Sequence, residues 1–170
     1  MGDNRSMPYR VTFVCTGNIC RSPMAEHVLR RRAADAGLDV AVDSSGTGGW
    51  HAGDPADSRT VDTLRRHGYS SAHSARKFQP SWFDDYDLVV ALDRGHLADL
   101  RRLAPDGAAR DKIRLLRSFD PAAGNEQDVP DPYYDGRAEF EHVLELIEAA
   151  VPGMLAEIDG ALEPAASEGA

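Results

Sequence analysis

Cysteine and lysine are scarce in this chain of 170 residues, which has two cysteines and, among 19 lysines and arginines, only Lys77 and Lys112 as lysines. Two cysteines build no disulfide framework, and the spacing of Cys15 and Cys20 is not C-x-x-C, so each reads as a reactive or a buried thiol. No apolar run reaches the ~20 residues of a membrane span. The opening MGDNRSMPYR lacks the apolar core of a signal peptide, so a cytoplasmic protein is expected. Met1-Gly2 followed by Ser6 fits the short, permissive myristoylation pattern, and the segment is read instead as a polar leader. Positive charge is also in deficit. A net charge of −9 excludes nucleic acid and anionic membrane surfaces as the main partners. The sequence has no G-x-G-x-x-G and no G-K-[ST], which removes the common dinucleotide and nucleotide loops. It has no internal repeat. The six histidines share no metal-ligand spacing, and His27, His51, His67, His96 and His142 are read as surface or capping residues.

What is present is a β-α alternation in a chain with 42% hydrophobic residues, enough for a core without staples. Strands are predicted at 9–14, 38–43, 87–92 and 112–116, and helices at 23–36, 58–67, 94–103 and about 137–160. Gly37 and Gly68 stand just past two helices, where a left-handed residue is wanted, and Asp57 and Asp93 are N-cap candidates. The short apolar run LVVAL suits a central strand buried on both faces, so the fold is expected to be α/β, a parallel sheet with helices on both faces. Residues 1–8 are expected to form a flexible leader, 9–160 one domain and 161–170 a flexible tail. Segments 44–56 and 117–136 are long irregular stretches of the kind that form functional rims. Pro152-Gly153 predicts a kink or a break in the last helix.

Ligands in such sheets bind beyond the carboxyl ends of the strands, where Cys15, Ser44 and Asp93 are expected to converge. Cys15 ends the first strand, and the turn Thr16-Gly17-Asn18-Ile19-Cys20 leads to Arg21-Ser22-Pro23 at a helix start. A cysteine at the mouth of a polar turn, ahead of a helix N-terminus, makes an anion site with a nucleophile inside it. Arg21 offers a planar fork of donors to two phosphate oxygens, and Ser22 can donate its hydroxyl to the sulfur, favouring the thiolate. Gly17 allows close backbone approach, and Asn18 tolerates left-handed angles while bonding its neighbours. The chemistry indicated is phosphoryl transfer to Cys15.

The stretch VCTGNICRSPMAE, together with Asp131-Pro132-Tyr133-Tyr134, resembles the low-molecular-weight protein tyrosine phosphatases, and the likeness runs from residue 9 to about 160. The resemblance implies a three-layer fold whose four-stranded parallel sheet has the order 2-1-3-4, with cysteinyl-phosphate chemistry and no metal or other cofactor. It implies Cys15 as nucleophile, Arg21 as transition-state clamp and Asp131 as general acid. Asn18, Ser22, Ser44 and His73 match the supporting hydrogen-bond network, with Asp93 another polar partner behind the loop. His96 stands where the family often has Asn, and Ser45 where it usually has Ala.

Chemistry supports the acid independently, because a phenoxide leaving group needs a proton and like charge from a bound dianion favours a protonated carboxyl. Trp50, Tyr133 and Tyr134 suit the walls of a deep slot that a phenyl ring fills and a serine phosphate is too short to use. The resemblance also implies phosphotyrosine over phosphoarginine, because the family's phosphoarginine phosphatases tend to have Thr in place of Ile19 and lack a second tyrosine at position 134. An arsenate reductase of this fold needs further cysteines, and none follows Cys20. That alternative survives only with an external thiol, and a binding module without turnover is the third class. The partners expected are phosphotyrosine-containing proteins, with inorganic phosphate and other oxyanions as competitors, and the chain itself a monomer or weakly self-associating. Peroxide is expected to join Cys15 and Cys20 in a reversible disulfide, partly by the same resemblance.

Overall fold

The computed structural model describes residues 7–163. The myristoylation pattern, most of the leader and residues 164–170 of the tail therefore lie outside the described residues.

Four parallel strands form one sheet in the order β2-β1-β3-β4. They are β1 (Tyr9–Cys15), β2 (Val40–Gly46), β3 (Leu88–Ala91) and β4 (Ile113–Leu115). The helices are α1 (Arg21–Asp35), α2 (Ser58–Arg66), α3 (Arg94–Leu103), the short α4 (Gly107–Arg110) and α5 (Arg137–Leu162). Side chains alternate across the sheet as the period of two demands. Val11, Phe13 and Cys15 of β1 and Leu88 and Val90 of β3 face a core built with α1, α2 and α5. Val14, Val89 and Ala91 face the opposite core, closed by α3 and a single 3-10 segment, Pro80–Asp85, where Phe78, Phe83 and Leu100 pack. The three layers follow from β1 and β3 being buried on both faces.

The caps agree with the sequence. Asp57 accepts from the Arg59 N–H and Asp93 from the His96 N–H, and Gly37 and Gly68 have φ of 74° and 81°.

Three expectations are corrected. The second strand runs to Gly46 rather than ending at residue 43, so Ser44 lies inside it. Its polar end Asp43-Ser44-Ser45-Gly46 reads as loop by composition, but parallel pairing with β1 carries the ladder through to Cys15 opposite Gly46. Of the kink or break predicted at Pro152-Gly153, the break is not found: α5 is one continuous helix through Pro152 and ends at Leu162, so residues 161 and 162 are helical rather than tail. Burial of Val151, Met154 and Ile158 on one stripe holds the helix together across the proline.

Candidate active site

Cys15 ends β1, and the turn that follows doubles back to start α1 at Arg21. The turn closes because Asn18 takes a φ of 60°, one of the few side chains that tolerates that region. It lies against the end of β2: Thr47 N–H donates to Cys15 O and Gly48 N–H to Thr16 O, both at 2.9 Å. Gly46 permits this, since a Cβ there would stand 2.6 Å from Thr16 O. Asp57 N–H and Thr60 Oγ1 grip the far side through the Ile19 and Cys20 carbonyls, at 2.8 and 3.2 Å. α1 has no capping side chain and no acidic residue in its first turn, so its positive end is left to whatever occupies the loop.

Behind the loop lies a buried polar network. Asn18 Nδ2 donates to Ser22 Oγ at 2.8 Å and to Ser44 Oγ at 3.0 Å, while Asn18 Oδ1 accepts from Arg76 N–H at 2.9 Å, which fixes the amide's orientation. Ser22 Oγ is 2.9 Å from Cys15 Sγ. Ser44 Oγ donates to Glu26 Oε1 at 2.6 Å, and His73 Nε2 bonds Asn18 O at 2.6 Å. Burial opposes charge on Glu26, yet hydrogen bonds from His73 and Ser44 and the Arg30 cation hold its carboxyl below the usual range.

Arg21 is buried at the lip of the loop. Its Nη1 donates to Asp93 Oδ2 and to Val129 O, each at 2.8 Å, and its Nη2 lies 3.7 Å from Asp131 Oδ2. Burial works against the Asp93 carboxylate, but the His96 N–H, the His96 ring and Arg21 keep its pKa low. Asp131 is half exposed, and its Oδ1 accepts from Tyr133 N–H at 3.1 Å in a tight local turn. The segment carrying it is tied to the end of β3 by Val129 N–H to Leu92 O at 2.9 Å.

These groups surround one cavity of about 280 Å³. Cys15, Thr16, Gly17, Ile19, Cys20, Arg21, Trp50, Asp131, Tyr133 and Tyr134 line it. Asn18, Ser22, Ser44, His73 and Asp93 lie behind, each hydrogen-bonded to the loop or to Arg21. Tyr133 and Tyr134 meet edge to face with ring centroids 4.9 Å apart, and Arg59 lies over Tyr133 at 5.6 Å. Cys20 is buried, which, with the Asp57 and Cys15 charges, pushes its thiol up to about 12. Both cysteines are free thiols.

Two histidines read as surface or capping residues, His96 and His27, are buried, and a third, His51, is a partly exposed residue of the cavity. His51 lines the cavity, its Nδ1 3.2 Å from Asp54 Oδ2, and a Cβ at Gly17 would stand 2.9 Å from its Cδ2. His96 is buried, with Nε2 bonded to Thr16 Oγ1 at 2.8 Å; burial and the Arg21 cation bring its pKa down to about 4. His27 is buried too, bonded to Ala72 O at 2.7 Å. Glu26 passed unnoticed in the sequence because nothing local distinguishes it from a surface helix residue.

Comparisons with known proteins agree with this geometry. The family model described as low molecular weight phosphotyrosine protein phosphatase matches residues 10–163. A Streptomyces coelicolor low molecular weight protein-tyrosine-phosphatase is 63% identical over 155 residues, 89% of this chain and 94% of that one. The crystal structure of YfkJ from Bacillus subtilis superposes with a TM-score of 0.86 at 38% identity, covering 94% of this chain and all of that one (100%). A protein tyrosine phosphatase from Entamoeba histolytica, solved with Hepes in its active site, gives 0.86 at 31% identity over 90% of this chain and 98% of that one.

Proposed function

The chain belongs to the low molecular weight phosphotyrosine protein phosphatase family, and from that premise we propose that it hydrolyses phosphotyrosine in proteins with Cys15 as nucleophile, Arg21 as phosphate clamp and Asp131 as general acid and base. The observation that carries the reading is the meeting of Cys15, Arg21 and Asp131 in one cavity, with Ser22 Oγ 2.9 Å from the sulfur.

In the first step the Cys15 thiolate attacks phosphorus, the S–P bond forms and the P–O bond to the phenol breaks. Asp131 delivers its proton to the departing oxygen, so tyrosine leaves neutral. The loop amides and Arg21 hold the three equatorial oxygens, whose charge is spread widest in the transition state. In the second step water attacks phosphorus, its proton passes to the Asp131 carboxylate, and the S–P bond breaks to release inorganic phosphate and the thiolate. Arg21 suits the clamp because Asp93 and Val129 O anchor one of its nitrogens while the other lies toward Asp131. Trp50, Tyr133 and Tyr134 give the aromatic ring its walls.

Residues 9–160 act in this reading as a single phosphatase domain. The cytoplasm is the proposed location, since two unpaired thiols persist in a reducing compartment. No helix among the described residues is long and apolar enough to cross a membrane.

The test is phosphate release from phosphotyrosine peptides and p-nitrophenyl phosphate, measured beside arsenate-dependent consumption of thiol. Release without thiol consumption, lost in Cys15→Ser, is the expected result. Thiol consumption without release would make the protein a reductase, and silence in both a binding module.

A further inference from the structure

Beside the catalytic cavity lies a second groove of about 510 Å³, and the two share Thr16 and Trp50. Trp50 is the partition. It is 72% exposed, and its ring rests on the backbone of Gly48, where a Cβ would fall 1.8 Å from Cζ3. The groove's floor is apolar, from Phe78, Pro80 and Leu103, and three charged residues line it, Lys77, Arg102 and Asp99.

The two cations are not equivalent. Arg102 is already paired with Asp99, three residues back on α3. Lys77 has its stem along Gly49, where a Cβ would stand 3.3 Å from Cδ, and its ammonium pairs with no acidic group among the described residues. The other lysine, Lys112, is bonded to Phe83 O at 2.7 Å. On a chain of net charge −9, an ammonium with no acidic partner among the described residues lies in the groove next to the substrate cavity.

We propose that this groove receives the peptide flank of the phosphotyrosyl substrate, and that Lys77 selects for an aspartate or glutamate close in sequence to the phosphotyrosine. The inference rests on the phosphotyrosine reading above and narrows it to a class of sequence. A phosphotyrosine whose phosphorus sits at Cys15 leaves its main chain at the cavity mouth, beside Trp50. A flank of a few residues, each spanning about 3.3–3.6 Å, then crosses into the neighbouring groove. The apolar floor takes side-chain bulk, and a lysine at the rim pairs with a carboxylate as a mobile point charge without demanding one geometry.

The experiment compares kcat/KM for phosphotyrosine peptides of one scaffold carrying Glu, Gln or Lys within four residues of the phosphotyrosine. The unmodified enzyme is expected to prefer Glu over Gln by about three- to tenfold at low salt, less at high salt. Lys77→Arg keeps that preference, Lys77→Ala removes it and Lys77→Glu turns it toward Lys peptides. The ratio is taken within each variant, so a general change in the catalytic loop cancels.

No preference in the unmodified enzyme, or one that survives in both Lys77→Ala and Lys77→Glu, overturns the proposal. An enzyme that hydrolyses the peptides without regard to flank loses only this inference, whereas one that leaves every peptide intact loses the phosphotyrosine reading with it. A second copy of the chain seated in the groove would give concentration-dependent sedimentation that Lys77→Glu abolishes, with no peptide preference. That too would overturn the proposal.

Discussion

Ser22 Oγ stands between Asn18 Nδ2, at 2.8 Å, and Cys15 Sγ, at 2.9 Å, and its neighbours dictate which way each hydrogen points. An amide nitrogen only donates, so the Ser22 oxygen accepts from Asn18 and its own proton is left for the sulfur. The competing acceptor, Ser45 O, is farther away at 3.4 Å. Asn18 cannot turn over, because Oδ1 is held by Arg76 N–H. Ser44 cannot reverse either, because its proton goes to the Glu26 carboxylate. A chain of polar groups from Glu26 to Ser22 thus aims one O–H at Cys15.

Removing that O–H should slow the step in which sulfur leaves phosphorus. A hydrogen bond to a charged group contributes about 1.5–3 kcal/mol, so Ser22→Ala is expected to lower kcat by roughly 10- to 100-fold. Rapid-mixing kinetics should show a burst of phenol followed by slow turnover. A loss in KM alone would place Ser22 in substrate binding instead.

Asp131→Ala should separate substrates by leaving group. With phosphotyrosine the loss is expected to be about 10²–10⁴-fold in kcat/KM, and with aryl phosphates whose phenols are acidic enough to leave unaided it should be much smaller. Rates plotted against leaving-group acidity give a steeper slope for the variant. Parallel lines for the two proteins would mean that Asp131 is not the proton donor.

Much of this site is written in consecutive residues. Cys15, the turn and Arg21-Ser22 lie within eight positions, so strand, loop and helix start could be read directly, and Asp57, Asp93, Gly37 and Gly68 announce helix ends by local chemistry. The parts that stayed hidden depend on packing between distant segments. Glu26 acquires its role from Ser44 and His73, and His96 from Thr16, 80 residues away. Neither has a local pattern. The polar end of β2 fails as a strand by composition and exists because β1 pairs with it. Pro152 ends a helix by its own chemistry, yet burial of the residues around it prevails.

The buried imidazole of His96 makes stability depend on acid. Burial and Arg21 lower its pKa from 6.5 to about 4, so the folded protein holds it neutral while the unfolded chain takes up a proton first. The stabilisation is therefore complete above pH 6.5 and is lost as the pH falls towards 4. His27, lowered by its own burial, acts in the same direction. Urea unfolding at several pH values in this window should show stability falling with acid, and His96→Asn should flatten part of the slope. An unchanged slope in the variant would assign the effect elsewhere.

The crossing of α5 over the single turn Leu116–Phe119 offers the sharpest test of packing. A Cβ at Gly153 would stand 2.2 Å from Phe119 O and 3.1 Å from its carbonyl carbon. Those are backbone atoms that no rotamer change can move. Alanine in an exposed helix interior is worth about 0.5–1 kcal/mol over glycine, but overpacking at a tight contact costs typically 1–3 kcal/mol, so the clash should win. Gly153→Ala is expected to lower stability by about 1–2 kcal/mol, read as a lower urea midpoint at unchanged m-value. Gly160→Ala is the control on the same helix, because nothing lies within 4 Å of a Cβ there, and it should be neutral or stabilising. If both alanines stabilise equally, α5 does not press on Phe119 as closely as described.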